Sequence, residues 1–211
     1  MIKKLVGLVF LVGSLVAFSL FGSRVSTDNI LALSIQKNFC ALHKNKKECR
    51  YFHPKEFAFT LHGLWPQPRS RQNCSNRYKR LPKDIWDELK VVMPGAVSGL
   101  AKHEWRKHGS CYGKDEKAYF KDAIKLVNEV NNSALKDFFA KNSGQIITKQ
   151  QLNQAVKKAF GNVARKVQMV CKRGLVTEVR FSLKGRGDKK SLKELLEDAK
   201  PLRSGCQRGR I

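Results

Sequence analysis

The chain has 211 residues, with 42 Lys+Arg against 17 Asp+Glu and a formal net charge of +25. That length suits one ordinary domain, with or without a tail. A field of that sign does not specify a fold. It repels cationic partners and attracts polyanions, phosphate backbones being the commonest; the competing reading is a solvated basic surface that serves solubility or meets anionic membranes.

Lys3 and Lys4 precede an uninterrupted apolar and small stretch, Leu5 to Gly22, the pattern of a signal peptide over residues 1–23. Ala17 and Ser19 are small and correctly spaced for cleavage after Ser19, with Ser23 the alternative point. A retained stretch would be borderline in length for a membrane anchor, the one case in which a membrane partner is expected. Removal takes Lys3 and Lys4 with it and leaves 40 − 17 = +23 on an exported chain, periplasmic or secreted. The mature protein is then a single domain over 24–211 with a basic C-terminal tail.

Ile30 to Ile35 is an apolar run of strand length, Cys40 to Pro54 a lysine-rich loop, and Phe57 to Leu61 a second strand. Pro66 to Arg80 lacks periodicity and reads as loop. Pro82 and Asp84 open a short helix through Lys90, which Pro94 ends; Leu100 to His108 is helical and stops at Gly109. Asp115 to Lys141 carries Phe120, Ile124, Val127, Val130, Leu135 and Phe138, mostly at helical spacing, with a break near Asn131-Asn132. Thr148 and Gln151 form a capping-box pattern before Leu152, Val156 and Phe160, and Gly161 closes that helix. Val167 to Cys171 and Leu175 to Leu183 alternate as two strands. Lys184 to Ile211 is basic and poorly patterned apart from an amphipathic piece, Leu192 to Leu196. Strands and helices without strict alternation predict an α+β fold.

The six cysteines, Cys40, Cys49, Cys74, Cys111, Cys171 and Cys206, form no CxxC pair. Behind an export signal they predict disulfides in an oxidising compartment rather than structural zinc.

Two short segments carry chemistry. In "FTLHGLWPQ", Phe59 to Gln67, a strand delivers His62 beside Gly63, Trp65 and Pro66. In "HEWRKHGSC", His103 to Cys111, helical spacing puts His103, Glu104, Lys107 and His108 at about 0°, 100°, 40° and 140°, on one face. A zinc-protease helix needs its second histidine four residues after the first; here that position is Lys107, a cation that would oppose a metal. Singly, each residue has a plainer reading: a helix hydrogen bond for His103, a surface pair for Glu104 and His108, core packing for Trp65 and Trp105. Three of five histidines in two odd segments weigh against coincidence, whereas His43 and His53 sit in the lysine-rich loop and receive no role. Two imidazoles titrating near neutrality serve as acid and base in one reaction. A lysine and a third imidazole hold a phosphate and offset charge on its oxygens. With a basic surface, the set suits cleavage of RNA by its own 2′-OH, a reaction that requires no metal or cofactor and that DNA cannot undergo. A degenerate, non-catalytic binder of RNA or anionic membranes is the alternative, and the presence of all three histidines favours the enzyme.

Both segments, in this order and at this separation, resemble the two signature segments of the ribonuclease T2 family. Weaker similarity runs through "LALS…FC", "ITKQQLNQAV" and "LVTEV". The resemblance implies an α+β fold with an antiparallel sheet core and endonucleolytic cleavage of single-stranded RNA through a 2′,3′-cyclic phosphate. It implies His62 as general acid and His108 as general base, His103 as phosphate ligand, Glu104 and Lys107 as transition-state stabilisers, and Trp65 as a base-binding wall. Ile35 and Gln36 stand where family members often have Trp and Pro, and Gln67 stands near an acidic position of some members, so weak base selectivity is expected. The cysteines are expected to pair as neighbours in sequence, Cys40–Cys49, Cys74–Cys111 and Cys171–Cys206, the middle bond tying the two signature segments together. RNA is the expected partner; no obligatory protein partner is expected, and the protein is expected to act as a monomer.

Overall fold

The computed structural model describes residues 25–51, 56–203 and 205–211. The export stretch read at 1–23 and His53 therefore lie outside the described residues. Strand β1 (Asp28–Ser34) is followed by helices α1 (Gln36–Leu42) and α2 (Lys47–Tyr51), then by β2 (Thr60–Pro66). Helices α3 (Lys83–Val92), α4 (Leu100–Lys107), α5 (Glu116–Asn131) and α6 (Ala134–Lys141) lead to β3 (Ile146–Thr148) and α7 (Lys149–Phe160). Strands β4 (Val167–Lys172) and β5 (Leu175–Lys184), helix α8 (Leu192–Glu197) and β6 (Arg208–Arg210) complete the chain. The fold is α+β, as expected.

Long β5 lies between β1 and β4, and β1 in turn pairs β2, all antiparallel; β6 joins β5 in parallel at Leu175 and pairs β3. Register decides the two faces. Leu31 opposes both Leu64 and Phe181, and Leu33 opposes both Leu61 and Val179. All six are buried and form the core face under α5, Met169 and Val167 extending it on β4. The opposite face carries Ala32, aligned with Gly63 and Arg180, and Ser34, aligned with Thr60 and Glu178. This is the polar face of the sheet.

Two sequence expectations shift. The second strand is not Phe57–Leu61 but begins at Thr60, because Phe57 and Phe59 pack against each other and against Phe139. The backbone of Phe59 is satisfied by the Asn131 amide, which accepts from its N–H (2.8 Å) and donates to its carbonyl (2.9 Å). A side chain thus does what a partner strand would do. The segment read as loop from Cys40 to Pro54 contains the end of α1 and all of α2, linked by Cys40–Cys49.

The other elements follow their local signals. Thr148 makes the capping box with Gln151, Ser191 makes another with Glu194, and Asp115 caps α5 by accepting from Ala118. The poorly patterned C-terminal segment is bound into the domain. Lys125 donates to the carbonyls of Gly187 and Lys190, Cys206 is bonded to Cys171, and Ile211 is buried with its N–H on Gln145. All three disulfides pair as expected. Among the described residues, no helix is long and apolar enough to cross a membrane.

Candidate active site

A bulge creates the site. Ala32 pairs with Gly63 and Leu33 with Leu61, so His62 is an extra residue on β2 with no partner on β1. An extra residue breaks strict alternation and re-aims side chains. Leu61 and Leu64 both stay in the core, while His62 and Trp65, three apart, both reach the polar face with their rings edge to face at 5.2 Å. His62 thus lies inside the strand rather than at its end. Tyr119 of α5 holds this stretch from behind, its hydroxyl donating to the Leu64 carbonyl (2.9 Å) and accepting from the Leu64 N–H (3.3 Å).

Helix α4 faces the bulge. Its last helical residue is Lys107; His108 is the C-cap, with φ −125° and ψ −56°, its N–H still bonded to the Glu104 carbonyl. Leaving the helix there tilts the His108 ring to 5.3 Å from the Trp65 ring. Glu104 is buried and accepts from the Trp65 indole N–H at 2.7 Å. Its other oxygen lies 3.6 Å from Nε2 of His62 and 4.0 Å from Nε2 of His103. A β-carbon at position 63 would overlap the Glu104 carboxylate and the indole nitrogen, so this approach of helix to strand requires Gly63.

The loop after β2 locks the two segments together. Cys74–Cys111 joins it to the turn after α4, Asn73 donates to the Lys107 carbonyl, and the Trp105 indole donates to the Arg77 carbonyl at 2.7 Å. Trp105 is thus a core and loop anchor, its plainer reading, whereas Trp65 is a wall of the site.

These residues enclose a cavity of about 340 Å³ lined by His62, Trp65, His103, Glu104, Lys107 and His108, with Gln67 and Arg180 also in its wall. Gln67 is held by a bond from its amide to the Trp65 carbonyl. A second cavity of about 550 Å³ shares His62 and His103 but not His108, and is lined also by Gln36, Phe39, Glu178 and the turn from Pro94 to Gly99. His43, given no role from sequence, borders it.

Two residues escaped the sequence reading. Glu178 on β5 takes the Nδ1–H of His62 at 2.7 Å. Arg180 grips the other Glu178 oxygen through Nε (2.8 Å) and its terminal amine (2.6 Å), and its guanidinium lies 5.0 Å over the Trp65 ring. Glu178 and Arg180 share a face by strand alternation, and only the small Ala32 and Ser34 of β1 lie beneath their reach to β2. The one available signal was an acid and a base at i and i+2, flanking Val179 in the strand.

The electrostatics separate the two histidines. For His62, burial is the largest influence and lowers its pKa. The bond to Glu178 and the charges of Glu104 and Glu178 outweigh that, and the net shift is upward. Among the described residues His108 has no such carboxylate: burial first, then Lys107, His103 and His62, lower it to about 4. Burial pushes the Glu104 carboxyl up, against the opposing pull of His62, Trp65, His103 and Lys107. Burial acts in the same direction on Glu178, but there His62 and Arg180 prevail and hold it down, ionised.

The ribonuclease T2 family model matches residues 29–195. The chain belongs to that family. Ribonuclease I of Escherichia coli is 28% identical over 198 residues, covering 74% of each chain. Ribonuclease T2 of Danio rerio is 30% identical over 156 residues, 68% of this chain and 61% of its own. Ribonuclease MC1 from bitter gourd seeds superposes with a TM-score of 0.65 at 19% identity, over 88% of this chain and all of that one, a likeness of fold. The matched region of the T2 family model contains β2, α4 and the Glu178–Arg180 pair, and stops short of Cys206 and β6.

Proposed function

We propose that the protein is an exported endoribonuclease that cleaves single-stranded RNA by acid–base transesterification. The observation that carries the reading is the opposed shift of two imidazoles facing one cavity, His62 upward and His108 down to about 4. The shifts bias His62 toward holding a proton and His108 toward lacking one, the starting states of a general acid and a general base. The family resemblance assigns the same roles.

His108 takes the proton of a ribose 2′-OH. The 2′-oxygen bonds to the adjacent phosphorus, and the bond from phosphorus to the 5′-oxygen breaks as Nε2 of His62 delivers its proton to that oxygen. The products are a 2′,3′-cyclic phosphate and a 5′-OH; water then opens the ring by the reverse proton path and leaves a 3′-phosphate. His103 offers a ring N–H and Lys107 a positive charge to the phosphate, and Lys107 with Glu104 meets the pentavalent transition state. Trp65, half-buried beside His108, offers a face to a base, with Gln67 next to it. Glu178 is a positioning residue. It fixes Nδ1–H as a donor, so that Nε2 carries the transferable proton, and Arg180 holds Glu178 in place.

The cavities imply a polarity. Of these two cavities His108 borders the 340 Å³ one, so the nucleotide bearing the attacking 2′-OH belongs there. His62 borders both, so the departing nucleotide belongs in the 550 Å³ cavity. Three disulfides in a strongly basic chain support export to an oxidising compartment. The test is a DNA oligonucleotide containing a single ribonucleotide. Cleavage is expected only at the bond 3′ to that ribonucleotide, and cutting at deoxyribonucleotides would refute the mechanism.

A further inference from the structure

A third cavity, of about 620 Å³, opens beside the first turn of α4 and is lined by neither histidine of the acid–base pair. Its walls are Tyr78 and Trp86, both half-buried, over a floor of buried leucine and alanine side chains. Its rim is cationic: Arg80, Lys83 and Lys102, with no carboxylate among the lining residues. Lys83 is held by Asp87, but Arg80 and Lys102 have no carboxylate partner among the described residues. Aromatic faces beneath a cationic rim form a stacking platform for single-stranded nucleic acid.

Its position links it to the cleft. Gly99 borders both this cavity and the 550 Å³ cavity, and Lys102 precedes His103 on α4. Gly99 has φ +92° and, among the described residues, no atom within 4 Å of where a side chain would start, so the chain is open at the residue the two cavities share. The N-terminus of α4, without a side-chain cap, lies there, a position favourable to a phosphate.

We propose that this cavity is an outlying nucleotide subsite: it takes the base of a nucleotide on the 3′ side of the scissile phosphate, against Trp86 and Tyr78, with the backbone phosphate held by Arg80 and Lys102. The proposal rests on the polarity given above, in which the departing strand leaves through the 550 Å³ cavity. It makes the protein a reader of chain length as well as of the scissile step. A dinucleotide cannot reach the third cavity, and a longer strand can.

The experiment compares kcat/KM on a dinucleotide and on an octanucleotide. Arg80→Glu/Lys102→Glu changes only exposed side chains. It is expected to cut the advantage of the octanucleotide roughly 10-fold or more and to leave the dinucleotide unchanged. Lys117→Glu/Lys121→Glu, the same charge change on α5, controls for the general field and is expected to cost much less. Trp86→Leu is expected to weaken binding of an uncleavable 2′-O-methyl octanucleotide by about 10-fold, the scale of one stacked base. Equal losses in the two double variants, or octanucleotide binding indifferent to Trp86, would overturn the subsite. Absence of any RNA cleavage would instead remove the functional reading, and the binding measurement would then decide the subsite alone.

Discussion

Replacing Glu178 with Gln keeps the shape of the side chain and removes the charge facing Nδ1 of His62. The bond lost is 2.7 Å long and joins side chains that are 32% and 14% exposed. A hydrogen bond to a charged partner contributes about 1.5–3 kcal/mol, and about 1.4 kcal/mol is a factor of ten. Partial exposure places this pair at the lower end, roughly 10-fold. The sign follows from the charges. Glu178 favours the protonated imidazole, and Arg180, freed of its partner, would disfavour it further, so Glu178→Gln lowers the pKa of His62. The acid form is then lost sooner as pH rises. In kcat/KM for a dinucleotide, measured from about pH 4 to 9, the alkaline limb moves to lower pH and activity on that side falls roughly 10-fold. The acidic limb, governed by His108 near 4, stays where it is. Glu178→Ala should do the same without offering an amide to Nδ1. An unchanged alkaline limb in a variant that remains folded by circular dichroism would refute the positioning role, and a uniform loss at every pH would mark Glu178 as merely structural.

Two further predictions follow from the same geometry. His62→Ala and His108→Ala should each reduce cleavage by roughly 10²-fold or more, while RNA binding persists and weakens steeply with salt because the basic field is intact; filter binding and initial rates on one RNA check both. Cys74→Ser/Cys111→Ser opens a bond spanning 37 residues, worth about 4 kcal/mol in the chain-entropy model. A shift of ~1 Å between β2 and α4 can cost ~10²-fold in rate. Activity should therefore fall at temperatures where circular dichroism still reports a folded chain; full activity in the folded double variant would separate this bond from catalysis.

The sequence made legible whatever is decided locally. The capping box at Thr148, the start of a long helix at Asp115 and the alternation of Val179, Phe181 and Leu183 with polar neighbours are read within a few residues, and the structure follows them. The histidines, Glu104 and Lys107 were visible because two short segments concentrate them. What could not be read depends on partners distant in sequence. Phe57 to Phe59 has strand composition, yet Asn131, 72 residues away, takes the backbone bonds of Phe59. The bulge at His62 exists only in register with Ala32 and Leu33. Asn38 fastens α1 to the carbonyls of Val176 and Arg210, so α1 forms in a segment partly read as loop. Glu178 acquires a role only because β1 places β5 two strands from β2, over side chains no larger than Ala32 and Ser34.

The central claim is that two histidines of opposite protonation move a proton from the 2′-OH to the departing 5′-oxygen. The most direct measurement is end-group analysis of a short single-stranded RNA, treated with the mature protein in EDTA and sampled at early times. The account predicts 5′-OH ends matched by 2′,3′-cyclic phosphates, which convert to 3′-phosphates as digestion continues. Products ending in 3′-OH and 5′-phosphate, or activity abolished by the chelator, would contradict it.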